Sequence, residues 1–281
     1  MYFFGTSYVD YFFCSNAASV PFCRRLCAVA PVAPVTWVRC AVARIGVHCR
    51  APRSRLVLAL AFAFAMTMTS AHAGRPMTVE DAGLADARSC ELESWVQHNR
   101  ASTEYWAVSG CNFSGNFELA LGAARITGEQ GNHPTAVLQG KTLFKPLAPD
   151  DWGAGLVFGN QFRFGGSVIG DLYASVPVSF SFKDDRYIVH MNGGWLREKA
   201  SGRHAMTWGL GAETRLTERT TLTSETFGLQ RDKPFFQLGL KHWLLVDRLQ
   251  LDASYGDRFG RSGAERYMSV GMVLFSNAML P

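Results

Sequence analysis

Charged and aromatic side chains stand at alternate positions within short apolar segments of this chain. Alternate side chains of a β-strand point to opposite faces, so one face of each segment is apolar and the other is polar. A carboxylate or ammonium group on the polar face could bind a solute or pair with an opposite charge, and an indole could stack on a ring. The candidate residues of this kind are Glu93, Trp95, Trp106, Glu118, Lys141, Glu213, Glu225, Lys241 and Asp252.

Strands with one apolar and one polar face must position these side chains. The clearest segment covers residues 172–182, where apolar residues alternate with mainly small polar ones, and similar segments recur as far as residue 275. Twelve strands are predicted, near residues 90–98, 103–111, 116–127, 134–145, 151–159, 171–182, 186–198, 204–216, 220–231, 234–246, 249–258 and 265–275. Such strands in an exported chain are typical of an outer-membrane β-barrel. We therefore predict an all-β fold, a single closed antiparallel transmembrane β-barrel of about 12 strands with both termini in the periplasm.

The same alternation assigns the two faces of the predicted strands. Met206 and Leu210 are expected to face lipid, with Gly209 and Glu213 on the inside. An Arg or Lys side chain on the lipid face near the bilayer midplane costs about 2–4 kcal/mol, so charged residues within strands are assigned to the interior. Aromatic rings near strand ends are expected at the membrane interfaces. These rings are Trp152, Tyr187, Trp195, Trp243 and Tyr267.

A bacterial secretory signal peptide is predicted over residues 50–73. Three arginines precede an uninterrupted apolar run at residues 56–66, and the small-x-small sequence at residues 71–73 predicts cleavage before Gly74. A transmembrane helix is the alternative, but the run is shorter than the ~20 apolar residues that a span requires. Cleavage leaves residues 74–89 as a periplasmic N-terminal segment with an Asp-Ala-Gly turn, tucked into or under the barrel mouth in one interpretation.

Residues 1–49 differ in composition from the rest of the chain. They contain five of the seven cysteines and show no clear periodicity. We interpret them as an upstream extension from a misplaced start codon, or as a disordered leader. The barrel is assigned to residues 90–275 and a C-terminal tail to residues 276–281. The last strand ends in Phe275 and resembles the terminal strand that barrel-assembly machinery recognises, so this machinery and periplasmic chaperones are expected partners.

The net charge of the chain changes when the leader is removed. The whole chain has 28 basic and 23 acidic residues and a formal charge of +5, but residues 1–73 hold seven arginines and one aspartate. The remainder has 21 basic and 22 acidic residues, a formal charge of −1. There is no basic patch with interleaved aromatic residues, so we expect no nucleic-acid binding. The remaining length fits one domain.

Cys90 and Cys111 are the only cysteines after the leader, and they predict a disulfide. An isolated pair in the oxidising periplasm is expected to be bonded. A hairpin of the first two strands sets Cys90 opposite Cys111, and the same register sets Trp95 opposite Trp106. Opposed residues are close enough for a disulfide, and opposed rings stabilise a sheet by about 0.2–1 kcal/mol. Two unpaired thiols are the alternative.

The histidines do not indicate a catalytic or metal site. His190 and His204 are predicted on neighbouring strands but at different heights, and no nucleophile stands out beside them. His98, His133 and His242 lack metal-ligand spacing, and no phosphate-binding glycine loop or other cofactor motif is present. We therefore expect no enzyme activity, no cofactor and no metal. A barrel enzyme acting on membrane lipids is the alternative, since scattered residues can converge in space.

The sequence after the predicted cleavage site resembles a known family. Residues 75–83 read Arg-Pro-Met-Thr-Val-Glu-Asp-Ala-Gly and precede a strand that contains Glu91-Leu92-Glu93. This opening resembles that of outer-membrane barrels grouped with the meta-pathway of phenol degradation, whose members often begin with Arg-Pro, a threonine and Asp-Ala-Gly. The resemblance implies a channel or transporter for small, often aromatic, compounds.

We expect a barrel in contact with outer-membrane lipids that lets small solutes pass. About twelve strands enclose a wider interior than eight do, glycines are frequent on its polar face, and a lining with both signs of charge gives no clear ion preference. In the alternative, the interior charges pair with each other and the barrel is only structural. The Trp95–Trp106 pair could form a platform for a ring-shaped solute, or could be cross-strand packing.

Overall fold

The computed structural model describes residues 74–128, 131–260 and 263–276. The predicted upstream extension and signal peptide lie outside these described residues, as does the predicted tail beyond Ser276. Within the described ranges, no helix is long and apolar enough to cross a membrane.

Twelve antiparallel strands close into one barrel. Each strand pairs with its neighbours in sequence, and the first strand pairs with the last, so the sheet closes on itself. The strands are β1 (Ser89–Asn99), β2 (Ser102–Asn112), β3 (Phe117–Gly128), β4 (Gly131–Lys145), β5 (Trp152–Arg163), β6 (Asp171–Phe182), β7 (Tyr187–Arg197), β8 (His204–Arg215), β9 (Thr220–Leu229), β10 (Phe235–Leu245), β11 (Leu249–Arg258) and β12 (Tyr267–Ser276). The predicted all-β closed antiparallel barrel and its strand count are confirmed, and every predicted strand overlaps an observed one.

Side-chain exposure alternates along the strands because one face lies outside the barrel and the other inside it. In β12, Ser269 is 3% exposed whereas its neighbour Val270 is 65% exposed. In β8, Thr207 is buried between the exposed side chains of Met206 and Trp208. The outer surface is therefore apolar and the interior is rich in polar groups, the arrangement that contact with lipid favours.

One aromatic residue that was expected at a membrane interface lies in the interior. Tyr267 is 8% exposed, and its hydroxyl donates a hydrogen bond to Gln237 Oε1 at 2.8 Å. It stands on the same face of β12 as Ser269. The expectation for Tyr267 was wrong because it considered the distance from the strand end and not the face of the strand.

The first hairpin has the predicted register. Cys90 pairs with Cys111, and Trp95 pairs with Trp106. The two cysteines form a disulfide, with their Cα atoms 4.1 Å apart, so the predicted bond is confirmed. Cys90 and Trp95 stand five positions apart, so they lie on opposite faces of β1, the disulfide outward and the indoles inward.

Residues 74–88, called the inner segment below, run through the barrel interior before β1 begins. Arg75, Val79 and Ala82 are 7%, 3% and 0% exposed, although the segment has no helix or strand. The sequence predicted a periplasmic segment here and left its relation to the barrel mouth open. In the structure this segment occupies the interior.

Two apolar clusters also fill part of the interior. One surrounds Trp95 and Trp106, and includes Val137 of β4 and Tyr173 of β6. The other joins Val79 of the inner segment to rings on β9, β10 and β12. The interior is therefore divided between polar contacts to the inner segment and packed apolar groups.

Candidate functional site

Backbone N–H groups of the inner segment donate to side chains that point inward from the barrel wall. Thr78 N and Val79 N both donate to the Glu225 carboxylate, at 2.8–3.0 Å. An irregular segment makes no ladder of its own, so side chains must satisfy its backbone. Three further donations occur along the segment: Glu80 N to Asn192 Oδ1 at 2.7 Å, Ala82 N to Ser179 Oγ at 2.9 Å, and Ala85 N to Glu118 Oε2 at 2.8 Å.

Amide side chains of the wall satisfy carbonyl groups of the same segment. Gln237 Nε2 donates to Pro76 O at 2.6 Å, and Asn112 Nδ2 donates to Ala85 O at 2.7 Å. Asn192 accepts from Glu80 N and also donates to Glu80 O at 2.8 Å. Wall residues from β2 to β10 thus hold the segment from one end to the other.

Ion pairs join the inner segment to the wall at two places. Arg75 Nη2 lies 2.9 Å from Asp252 Oδ1 and also donates to Ser269 Oγ at 2.9 Å. Lys141 Nζ lies 2.6 Å from Asp81 Oδ1 and 3.2 Å from Glu80 Oε2. These side chains are at most 10% exposed, so solvent screens the pairs little.

A third charged group joins strands β7, β8 and β10 within the wall. Lys241 Nζ lies 2.7 Å from Glu213 Oε2, and Glu213 Oε1 lies 3.4 Å from His190 Nε2. On its other side, His190 Nδ1 lies 2.8 Å from Ser179 Oγ. Ser179, His190 and Glu213 therefore form a chain of the residue types that nucleophilic hydrolases use, and the sequence alone did not reveal it.

The surroundings of this chain favour a structural role. Ser179 is 0% exposed and its Oγ accepts the Ala82 N–H, so the hydroxyl is covered by the inner segment. The group faces the interior and not the lipid. Ser179 lies directly opposite His190 in the β6–β7 register, which a sequence-based hairpin alignment could have revealed.

Trp95 and Trp106 stack in the interior. Their ring centroids are 5.4 Å apart, and the ring planes differ by 9°. The Arg75 guanidinium carbon lies 4.2 Å from the centroid of Trp95, in cation–π contact. Glu104 accepts a hydrogen bond from Trp106 Nε1 at 2.9 Å. The platform that the sequence predicted thus exists as a stacked pair, and Arg75 lies over it.

Glycines on the inner face leave space that the inner segment fills. A Cβ atom at Gly209 would lie 2.7 Å from Val79 Cγ2, and one at Gly239 would lie 2.8 Å from Pro76 Cγ. Carbon atoms in contact normally stay about 3.5–4.0 Å apart, so a side chain at either position would displace the segment. From the sequence, such glycines were expected to leave room for a solute.

A cavity of about 50 Å³ remains between the inner segment and strands β1–β4. Its wall includes Glu91 and Glu93 of β1, Glu118 of β3 and Lys141 of β4. A space of this size holds a few water molecules but no aromatic ring or sugar. In this conformation the interior therefore has no room here for a solute of that size.

All nine residues that were predicted to line the interior stand on the inner face. Eight are less than 9% exposed, and Glu213 is half-buried. Their role as contacts for a solute stays a prediction. The structure pairs Lys241 with Glu213 and Glu118 with the backbone of Ala85, and it places Lys241 opposite Asp252 in the β10–β11 register.

Sequence reasoning missed the partners that the inner segment supplies to this lining. Arg75, Glu80 and Asp81 contact residues 60 or more positions away, and no periodicity in residues 74–88 indicates where they lie. Within the described part of the chain, no group of three or more His, Cys, Asp or Glu side chains could hold a metal ion.

Comparisons with known proteins agree with the barrel. The family described as "Uncharacterised conserved protein UCP029691" matches residues 60–275. There is no significant match among curated protein sequences. Among solved structures, the KdgM porin has a TM-score of 0.54 and 8% identity, covering 66% of this chain and 98% of the porin. The NanC porin has a TM-score of 0.50 and 10% identity, covering 66% of this chain and 99% of the porin. At these identities the likeness shows the fold alone.

Proposed function

The chain belongs to the family described as Uncharacterised conserved protein UCP029691, and we propose that it is an outer-membrane channel for small solutes whose interior the inner segment closes. The observation that carries this proposal is the inner segment itself. It is an irregular stretch held in a closed barrel by side-chain contacts, and its removal would leave a polar, glycine-rich path.

The polar contacts that hold the inner segment are of a kind that can be exchanged for water. They are hydrogen bonds and ion pairs, and a hydrogen bond contributes about 0.5–3 kcal/mol. The wall, in contrast, is a continuous twelve-stranded ladder with a disulfide across its first hairpin. Opening is therefore a displacement of the inner segment, with the barrel itself unchanged.

A barrel that serves only as a structural element is the second candidate. The interior ion pairs favour it, because Lys141 and Arg75 are bound to carboxylates and not exposed to a water-filled path. The two candidates differ in whether solutes pass. An enzyme acting on lipids is not supported, since Ser179 is covered and faces away from the lipid.

Aromatic compounds are the solutes that we propose, on two grounds. The mature N-terminal sequence resembles that of barrels grouped with the meta-pathway of phenol degradation, and Trp95 stacks on Trp106 in the interior. The KdgM porin is described in complex with disordered oligogalacturonate. The carboxylates Glu91, Glu93 and Glu118 around the cavity do not favour an acidic sugar here.

We place the protein in the bacterial outer membrane with both termini in the periplasm. The signal peptide predicted over residues 50–73 supports export, and the apolar outer face supports contact with outer-membrane lipids. The aromatic residue at the end of β12 supports insertion by barrel-assembly machinery, after delivery by periplasmic chaperones.

A disulfide that locks the inner segment to the wall tests the channel. A Cβ atom at Gly211 would lie 3.4 Å from Val79 Cβ, close to the separation of about 3.5–4.5 Å in a disulfide. In planar bilayers we expect channel openings from the wild type, and about tenfold fewer from oxidised Val79→Cys/Gly211→Cys, with recovery on reduction. Gly211→Cys alone and the reduced wild type are the controls. If the folded wild type neither conducts nor swells liposomes, the channel is excluded and the purely structural barrel is the remaining candidate.

A further inference from the structure

The residue before which the sequence predicts signal-peptide cleavage lies inside the barrel. Gly74 lines the cavity between the inner segment and the wall, together with Glu91 and Glu93. A Cβ atom at Gly74 would meet no other atom within 4 Å, so there is open space beside its backbone. The following residue is buried, with Arg75 only 7% exposed.

Contacts of the next two residues fix the position of Gly74. Arg75 is bound to Asp252 and Ser269, each at 2.9 Å, and the Pro76 carbonyl accepts from Gln237 at 2.6 Å. Gly74 O also accepts a hydrogen bond from Met77 N at 3.0 Å. Gly74 therefore stays at the cavity as long as the inner segment is bound.

The cavity has more carboxylates than cations. Its two cations are both bound to other groups: Arg75 to Asp252, and Lys141 to Asp81 and Glu80. The carboxylates in its wall are Glu80, Asp81, Glu91, Glu93 and Glu118. In the described part of the chain, Glu91 and Glu93 form no ion pair.

These two glutamates also lack hydrogen bonds that their burial calls for. Glu91 Oε2 is buried without a hydrogen-bond partner among the described residues. Glu93 is 6% exposed, and its carboxylate makes no hydrogen bond within the same ranges. A buried carboxylate is costly unless it is paired, so the site calls for a cation with several donors.

We propose that cleavage before Gly74 creates an α-ammonium group that binds Glu91 and Glu93 in this cavity. A signal peptidase hydrolyses the Ala73–Gly74 peptide bond with one water molecule. Ala73 gains a carboxylate, and the released Gly74 amine takes up a proton. The resulting group carries three N–H donors and a positive charge, which match two acceptor-only carboxylates.

This binding makes the processed N-terminus the first anchor of the inner segment. The chemistry resembles the capture of N-terminal amines in other recognition sites, except that the amine belongs to the same chain. Cleavage at a different residue would place the amine away from Glu93. The inference does not depend on whether solutes pass through the barrel.

Processing is tested first, on the full chain expressed with its leader and purified from outer membranes. N-terminal sequencing and intact mass are expected to show a mature chain that begins at Gly74. A chain that begins elsewhere, or keeps its leader, overturns the proposal.

Amine labelling then tests the site. An α-amino group in water loses its proton near a pH of about 8 and reacts readily with acylating reagents. In the folded wild type we expect the Gly74 amine to react at least about tenfold more slowly than in the urea-unfolded chain. Glu93→Gln and Glu91→Gln are expected to remove most of this protection, whereas Glu218→Gln, an exposed loop carboxylate, leaves it unchanged.

The outcomes are distinguishable because each variant is also checked for the folded barrel by its mobility in unheated gels. Two separate variants are used so that failure of one to fold leaves the other. A Gly74 amine that reacts equally fast in folded and unfolded wild type overturns the proposal. Protection that persists in both glutamine variants also overturns it.

Discussion

Lys141 Nζ lies 2.6 Å from Asp81 Oδ1, and this ion pair joins strand β4 to the inner segment within the barrel. Both side chains are at most 10% exposed. Because Lys141 also contacts Glu80, one wall ammonium pairs with two carboxylates of the segment. The sequence alone assigns Lys141 to the inner face of a strand, but it does not indicate where Asp81 lies.

Lys141→Met is expected to destabilise the protein and release the inner segment. The variant removes the ammonium that pairs with Asp81 and Glu80, and breaking a buried ion pair by removing one partner costs about 3–5 kcal/mol. Urea unfolding followed by tryptophan fluorescence measures the loss. Lys199→Met, which removes an exposed lysine, is the control and should stay within about 0.5 kcal/mol of the wild type. Equal stability of the two variants would contradict the role of the Lys141 pair.

Gly209→Val is expected to expel the inner segment by steric overlap, although it changes none of the polar side chains that bind the segment. A Cβ atom there would lie 2.7 Å from Val79 Cγ2, and overpacking of this kind costs about 1–3 kcal/mol. Hydrogen exchange at the amides of Val79 and Ala82 should accelerate. Gly193→Val is the matched control, because a Cβ atom at Gly193 meets nothing within 4 Å. Unchanged exchange in Gly209→Val would show that the segment does not pack against β8.

The barrel could be predicted because its signal is local. Alternation within each strand assigns residues such as Trp95 and Lys141 to the inner face, and a tight hairpin fixes the pairing of Cys90 with Cys111. Both relations depend only on residues that are close together in the sequence, so they do not require knowledge of the rest of the fold. Twelve such strands then have few ways to bury their edges other than closure.

The inner segment could not be predicted because its position depends on distant contacts. Thr78 is bound by Glu225 and Glu80 by Asn192, at sequence separations of 147 and 112. No periodic pattern in residues 74–88 indicates these partners. The Ser179–His190 contact is an intermediate case. It follows from the register of the β6–β7 hairpin, but no sequence motif indicates it.

Replacing both cysteines, as Cys90→Ser/Cys111→Ser, is expected to lower the stability of the barrel by about 2–4 kcal/mol. The disulfide closes a loop with a sequence separation of 21, so its loss enlarges the freedom of the unfolded chain. Thermal unfolding, read from the gel mobility of unheated and heated samples, measures the change. Reduction of the wild type should give a similar loss. A double variant as stable as the oxidised wild type would show that the hairpin register alone suffices.

The Asp151 carboxyl is expected to titrate at an unusually low pH. Hydrogen bonds from Lys145 Nζ at 2.5 Å and from Trp152 N at 2.7 Å hold the pKa of Asp151 below its usual range. A folded pKa below the unfolded one means that this contact stabilises the protein above the ordinary carboxyl pKa of about 3.9, and that the contribution is lost as the pH falls through the folded value.

Lys145→Met tests this assignment. It should raise the pKa of Asp151 towards the ordinary value, because the first of the two hydrogen bonds is removed. Carbon-13 NMR of the labelled carboxyl in detergent micelles follows the titration. Lys199→Met should leave the Asp151 titration unchanged, and a raised pKa in that variant would point to a general charge effect instead of the contact.

Trp95→Ala is expected to remove a preference for aromatic solutes without closing the channel. Arg75 lies 4.2 Å from the Trp95 ring centroid, so displacement of the inner segment uncovers a ring face to which a solute ring can stack. Aromatic pairs contribute about 0.5–1.5 kcal/mol, which corresponds to about a twofold to tenfold difference in rate. Swelling of liposomes in phenylalanine and in leucine measures this, because the two solutes have the same charges and only one has a ring. Trp208→Ala, on the outer face, should keep the wild-type ratio. If Trp95→Ala also keeps the wild-type ratio of the swelling rates in phenylalanine and leucine, the proposed aromatic specificity is excluded, and a channel without it remains.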